Sequence, residues 1–175
     1  GFLLANGALG DSDTVDIRRE LIKNDKVEAI IVLPREMFYS TDISVTLWIL
    51  NQNKAGGEHH GRMLRNRQGE VLFLDLRTWN DNRYSKGKFV QFSQEQIAEI
   101  SKIYFDWQTS GVLPYAKSEL YYAATKAEIA EKNYSLVPSR YIEFVDRDTE
   151  LDYATAVIEE IILERPKVIA KNDYI

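Results

Sequence analysis

This chain of 175 residues contains no cysteine. That absence excludes a disulfide framework, a thiolate metal site and a cysteine nucleophile. It also fits a reducing cytoplasm. No apolar run approaches the roughly 20 residues a membrane helix needs. The opening GFLLANGALG has no basic n-region and is too short for a signal peptide. No membrane partner is therefore expected. No serine sits in a nucleophile-elbow pattern, and no pair of carboxylates stands out as a general acid and base. There are only 2 histidines, the adjacent His59 and His60. Adjacent side chains diverge and no carboxylate cluster is near, so no metal site is expected. Internal repeats and low-complexity tracts are also missing.

What is present suits one folded domain, or part of one with an appendage. Hydrophobic residues make up 45% and charged residues 28%, enough apolar side chains for a core in an ordinary soluble composition. The net charge of −5 argues against a free-standing nucleic-acid binder. The charge is unevenly spread, however. Residues 54–88 carry eight basic side chains against four acidic ones, whereas residues 143–164 carry eight acidic side chains against Arg147 alone. A basic middle can face phosphate and an acidic end cannot.

The apolar pattern predicts a strand at Phe2–Ala5, closed by the turn signal Asn6-Gly7. A helix follows over Thr14–Asn24, capped by Asp13 or Thr14, with Asp16 in its first turn. Val27–Leu33 is a continuous β-branched run, the habit of a parallel strand buried on both faces. These three read as strand–helix–strand with a right-handed crossover. Ile43–Leu50 is again strand-like, but only the nine residues of Pro34–Asp42 precede it. A parallel return needs about a dozen residues, so this strand is expected antiparallel to its predecessor. Residues 51–69 read as an exposed loop, Glu70–Leu76 as a strand and 77–92 as a loop. Ser93 opens a helix through the capping box Ser93-x-x-Gln96, with Ile97, Ile100, Tyr104 and Trp107 on its buried face. Short and long helices are predicted at Lys126–Lys132 and from Thr149, the latter striped by Leu151, Ala154, Ile158, Ile161 and Ile162.

The order strand–NG–loop, IRRELIKND, VEAIIVLPREMFYSTDIS, VLFLD, a helix and NYSLVPSRYI resembles the C-terminal half of the modification subunit of type I restriction–modification systems. These are N6-adenine DNA methyltransferases. The resemblance runs from residue 2 to about residue 144. It implies an α/β fold: the C-terminal part of a class I, Rossmann-like methyltransferase sheet with a terminal antiparallel strand, then a mainly helical region. Residues 1–92 would be the end of the methyltransferase domain. Residues 93–175 would be a helical region contacting other subunits.

The resemblance also implies roles. Phe38, in the loop after the Leu33-Pro34 dipeptide, would stack on an adenine extruded from the duplex, because the N6 atom cannot be reached inside the stack. The plainer alternative is that Phe38 packs between strands. Tyr39, Ser40 and Thr41 would line the same mouth. Arg62, Arg65 and Arg67 are phosphate candidates, set against a solvated loop. The family uses S-adenosylmethionine, yet its Gly-rich turn and its Asn-Pro-Pro-Phe loop do not occur in this sequence. The chain therefore reads as a fragment with no catalytic residue of its own, inactive alone and binding no cofactor. The implied partners are DNA, a specificity subunit and a restriction subunit, and an uncovered strand edge favours a homodimer. The alternative is a non-catalytic binding or assembly module of the same complex.

Overall fold

The computed structural model describes residues 1–39, 42–84 and 86–145. The chain divides into two units, Gly1–Phe144 and Val145–Ile175, and the first holds every described strand and helix. Ser40, Thr41 and the helix predicted from Thr149 lie outside the described residues.

The strands are β1 (Phe2–Ala5), β2 (Val27–Val32), β3 (Val45–Leu50), β4 (Gly57–His59), β5 (Arg62–Leu64), β6 (Glu70–Asp75), β7 (Arg83–Tyr84), β8 (Phe89–Val90), β9 (Ala116–Lys117) and β10 (Tyr121–Thr125). The helices are α1 (Val15–Lys23), α2 (Gln94–Thr109) and α3 (Lys126–Glu131). Six strands form one mixed sheet in the order β1-β3-β2-β6-β10-β9, while β4–β5 and β7–β8 are separate small hairpins.

β2 runs parallel to β6, and β3 is antiparallel to both β1 and β2. β1 and β2 thus point the same way, joined through α1 as the sequence predicts. All six residues of β2 are buried, the pattern expected of a strand flanked on both edges and covered on both faces.

The expected terminal position of the antiparallel strand is corrected. β3 lies inside the sheet, between β1 and β2. The crossover through α1 sets β1 one strand-width away from β2, and the short return after Pro34 fills the gap. Trp48 and Thr46 are accordingly buried. The connection length told that β2 and β3 are neighbours. It carried no information about what lies on the far side of β3.

The boundary expected after residue 92 is also absent. β10 pairs with β6 over five residues in the same sheet, and residues 93–144 belong to the same unit as residues 1–92. The described part of the supposed helical region therefore contributes strands as well as helices. YYAAT gives a weak strand signal in isolation, and its pairing with β6 decides it.

Helices cover both faces. On one side, Ile22 of α1, Ile129 of α3, Leu136 and Tyr141 pack on Ile30, Val32 and Phe73; the Tyr141 and Phe73 rings stack 4.3 Å apart. On the other side, Ile103 and Trp107 of α2 pack on Leu72 and Leu74. The capping box of α2 forms as predicted: Ser93 N–H donates to Gln96 Oε1 at 2.8 Å and Gln96 N–H to Ser93 Oγ at 3.1 Å. Ile97, expected on the buried face, is exposed. No side chain caps α1. Thr14 Oγ1 accepts from Arg18 at 2.6 Å, so its oxygen is engaged one turn into the helix.

Candidate functional site

β1, β2 and β6 end at the same edge of the sheet, at Ala5, Val32 and Asp75. In open α/β sheets ligands bind outside the carboxyl ends of the strands. The loop that leaves β2 at this edge carries Phe38 and Tyr39. Phe38 is half-buried and packs against the α2-side core. Tyr39 is 76% exposed, and its ring centroid lies 4.2 Å from that of the buried Phe89. Of the two aromatics, Tyr39 presents the larger free face.

The loop is braced by a hairpin that sequence reading treated as featureless. Val90 N–H donates to Glu36 O at 3.0 Å, and Arg83 Nη1 meets Glu36 Oε2 at 2.5 Å. Glu36 itself has φ +63. A non-glycine residue in that region costs about 1–3 kcal/mol and persists where its surroundings fix it. Here both the carbonyl and the carboxylate of Glu36 are held by β7–β8.

On the other face of the same rim, Asp75 is buried and receives Arg77. The Arg77 Nε approaches Asp75 Oδ1 and Oδ2 at 2.9 and 3.0 Å, and Nη2 donates to Oδ2 at 2.6 Å. The hydrogen bonds to Asp75 outweigh burial and hold the guanidinium above its ordinary pKa. A hollow of about 160 Å³ opens beside the pair, lined by Asn6, Leu9, Val32, Val137, Pro138 and Ser139. The signal for this pair was present in VLFLDLR: a lone acid ending an apolar strand, with a cation two residues on and so on the same face.

The opposite edge of the sheet is closed by buried charge. Glu28 is 0% exposed and accepts from Arg67 Nε, Gln108 Nε2 and Asn51 Nδ2, each at 3.1 Å. Tyr104 OH lies 3.5 Å from the same carboxylate, and burial followed by the Glu28 charge pushes its phenol pKa up. Arg65 forks onto Glu70 at 2.8 and 2.6 Å and donates to Trp107 O at 2.7 Å. Lys54 is buried on Asp25 at 2.6 Å and on the carbonyls of Val27 and Glu70.

This arrangement corrects two expectations. Residues 51–69 are not an exposed loop, since they contain β4–β5 and the buried Lys54 and Arg67. Arg67 is fully buried on Glu28, so it has no access to phosphate. Arg65 is tied to Glu70. Of the three candidate arginines Arg62 alone stays exposed, with its guanidinium 4.8 Å over the Phe105 ring. His59 and His60 stand beside it at the hairpin tip, and among the described residues no cluster able to hold a metal occurs.

The turn after β1 does not supply a Gly-rich cofactor cradle. The turn after β1 contains Gly7, but the Asp11 carboxylate occupies the space in front of its Cα. The exposed Asp11 side chain puts a carboxylate where a Gly-rich cradle presents bare backbone N–H groups.

Residues 1–150 match the family described as N-6 DNA Methylase. The chain belongs to that family. It is 32% identical over 155 residues to the HindI type I restriction enzyme methylase subunit of Haemophilus influenzae, covering 85% of this chain and 31% of the relative. It is 32% identical over 151 residues to the MjaIX type I methylase subunit of Methanocaldococcus jannaschii, covering 81% of this chain and 24% of the relative. The chain thus spans 24–31% of the length of the curated methylase subunits it matches. Among solved structures, the type I methyltransferase subunit of Streptococcus thermophilus superposes with a TM-score of 0.64 at 22% identity, over 82% of this chain and 26% of that one. A chain from a structure describing complex assembly of a type I restriction–modification system superposes with a TM-score of 0.53 at 19% identity, over 97% of this chain and 34% of that one. These superpositions show a shared fold. No described helix is long and apolar enough to cross a membrane.

Proposed function

We infer that this chain forms the target-base side of a DNA methyltransferase acting on the N6 of adenine within a type I restriction–modification complex. Family membership supports the methyl-transfer chemistry. The observation that carries the siting is the braced aromatic loop at the carboxyl end of β2. Its aromatics have the flat apolar surface that an extruded base requires. Phe38 stacks on the adenine, Tyr39 borders it, and Ser40 and Thr41 complete the mouth. The sheet is the later part of a class I methyltransferase sheet. S-adenosylmethionine supplies the methyl group in the whole protein; the residues that hold it are not in this chain, which is inactive alone. Arg62 remains the phosphate candidate on the β4–β5 hairpin. The region from residue 93 meets the specificity subunit, the restriction subunit completes the complex, and the setting is cytoplasmic.

A second reading has its own support. Phe2, Leu4, Ile17, Leu21, Trp48 and Leu50 line an apolar hollow of about 350 Å³ beside β1, and β1 has no partner on its outer edge among the described residues. Such an edge invites association, which fits an assembly module or a homodimer.

Phe38→Ala in the methyltransferase that carries this chain separates the roles. Loss of the stack is expected to cost about 1–3 kcal/mol of base capture with cofactor affinity unchanged. A side chain serving the core alone would instead cost about 3–5 kcal/mol of stability. Methylation rate and melting temperature are measured on the same variant. A large fall in melting temperature with activity per folded molecule intact would overturn the stacking role.

A further inference from the structure

The charge of residues 54–88 is sorted by the fold. Lys54, Arg65 and Arg67 are turned onto Asp25, Glu70 and Glu28 at the amino edge of the sheet. The cations that remain near the carboxyl edge come from residues 77–88. Arg77 differs from its neighbours in being pre-set. Asp75, 4% exposed, grips its Nε and Nη2, and also accepts the Arg77 backbone N–H at 3.1 Å. The guanidinium plane is fixed, while the side chain stays half exposed. Nη1 has no hydrogen-bond partner among the described residues.

Leu76 N–H donates to Val32 O at 2.9 Å. Arg77 therefore stands directly beside the point where the Phe38 loop leaves β2. Alternation along the strand puts the two on opposite faces of one rim: Asp75 and Arg77 toward the α1 side, Phe38 toward the α2 side. A base held on one side of this rim would leave the adjoining DNA backbone within reach of the other.

We propose that Arg77, oriented by Asp75, is a binding site for a DNA phosphate flanking the extruded adenine. Nη1 and the outer N–H of Nη2 form the two-pronged donor that a phosphate accepts, and the Asn6 amide and Ser139 hydroxyl offer further polar groups beside it. Asp75 is a positioning residue. The pairing suits a phosphate contact because rotamer freedom is lost on folding, before DNA arrives. The inference rests on the reading of the chain as the DNA-engaging part of a methyltransferase.

The test titrates labelled DNA duplexes of several sequences into the whole methyltransferase across a salt series. Arg77→Gln is expected to weaken binding about tenfold on every sequence and to lower the slope of log affinity against log salt by about one. Cofactor affinity stays unchanged; melting temperature falls, because the buried Asp75 carboxylate loses its partner, so DNA affinity is read per folded molecule at a temperature where the variant is folded. Arg77→Lys keeps the charge and restores the slope, but recovers only part of the affinity because the fork is lost. Asp75→Asn keeps the slope and loses a few-fold in affinity. Three results overturn the proposal: an Arg77→Gln enzyme that titrates like wild type, a loss confined to one recognition sequence, or a loss of cofactor rather than DNA. If wild-type enzyme methylates normally and only these variants disagree, the phosphate site alone fails. If wild type neither binds nor methylates DNA, the parent reading fails with it.

Discussion

The two edges of the parallel strands handle charge in opposite ways. At the amino edge, Glu28, Glu70 and Asp25 are matched to Arg67, Arg65 and Lys54, and two of those cations are fully enclosed. At the carboxyl edge, one buried carboxylate serves to aim an exposed guanidinium, and an aromatic stands in solvent. The amino edge spends its polar groups on closure. Removing one partner there strands a buried charge, whereas removing the exposed Tyr39 at the carboxyl edge strands none. Stability and the recognition proposed for the Phe38 loop are therefore open to separate tests by mutation.

The sharpest break in this comparison is Glu28→Ala. It leaves Arg67 buried without its counter-ion and Gln108 and Asn51 without their acceptor. The expected loss is about 3–5 kcal/mol of unfolding free energy. Urea melts measure it, and a loss under 1 kcal/mol would show that the network relaxes. Arg67 Nη2 has no partner even in the intact protein, so the network begins with one unmet donor and has little slack.

A smaller effect is expected from acid. Glu128 closes the capping box of α3 at the amino end of β6, accepting from Thr125 N–H at 2.7 Å and from Tyr122 OH at 2.7 Å. Burial pushes its pKa up, but the bonds from Tyr122 and Thr125 win and hold it below the ordinary value. A depressed folded pKa contributes stability above the ordinary carboxylate range, and that contribution disappears as pH falls through the folded value. Melting temperature should therefore drop more steeply in acid for wild type than for Glu128→Gln. Parallel curves would remove Glu128 from the account.

The smallest expected change in stability belongs to Tyr39→Ala at the carboxyl edge. Its contact with Phe89 is on the surface, and stability should stay within about 0.5 kcal/mol of wild type. Methylation by the whole methyltransferase that carries this chain should nevertheless fall. If stability drops instead, Tyr39 serves the fold and the contrast between the edges weakens.

Much of this was legible before any coordinates. The apolar run Val27–Leu33, the nine-residue return and the Ser93–Gln96 box each depend on neighbours close in sequence, and each formed. Placement of β3 between β1 and β2 did not show, because strand order is set by partners far along the chain. The buried cations escaped for a related reason. Lys54 and Arg67 sit among glycines and polar residues and look solvated; their burial follows from Asp25 and Glu28, acids on a distant segment. The loop sequence points to Phe38 and Tyr39 alike, but which ring faces solvent depends on Phe89 and the β7–β8 hairpin.

The interior position of β3 also sets an order of events. Among the described residues β1 pairs with β3 alone, residue Phe2 against Trp48 and Ala5 against Val45, so its partner lies about 40 residues further along, a loop whose closure entropy must be met before the strand gains a single ladder bond. β2 and β3 are close in sequence and can zip first. Among the described residues β1 then docks on that pair and is the first of the parallel strands to leave it. Its amides should exchange with solvent well before those of β2, although the two strands run side by side in direction and are joined by one helix.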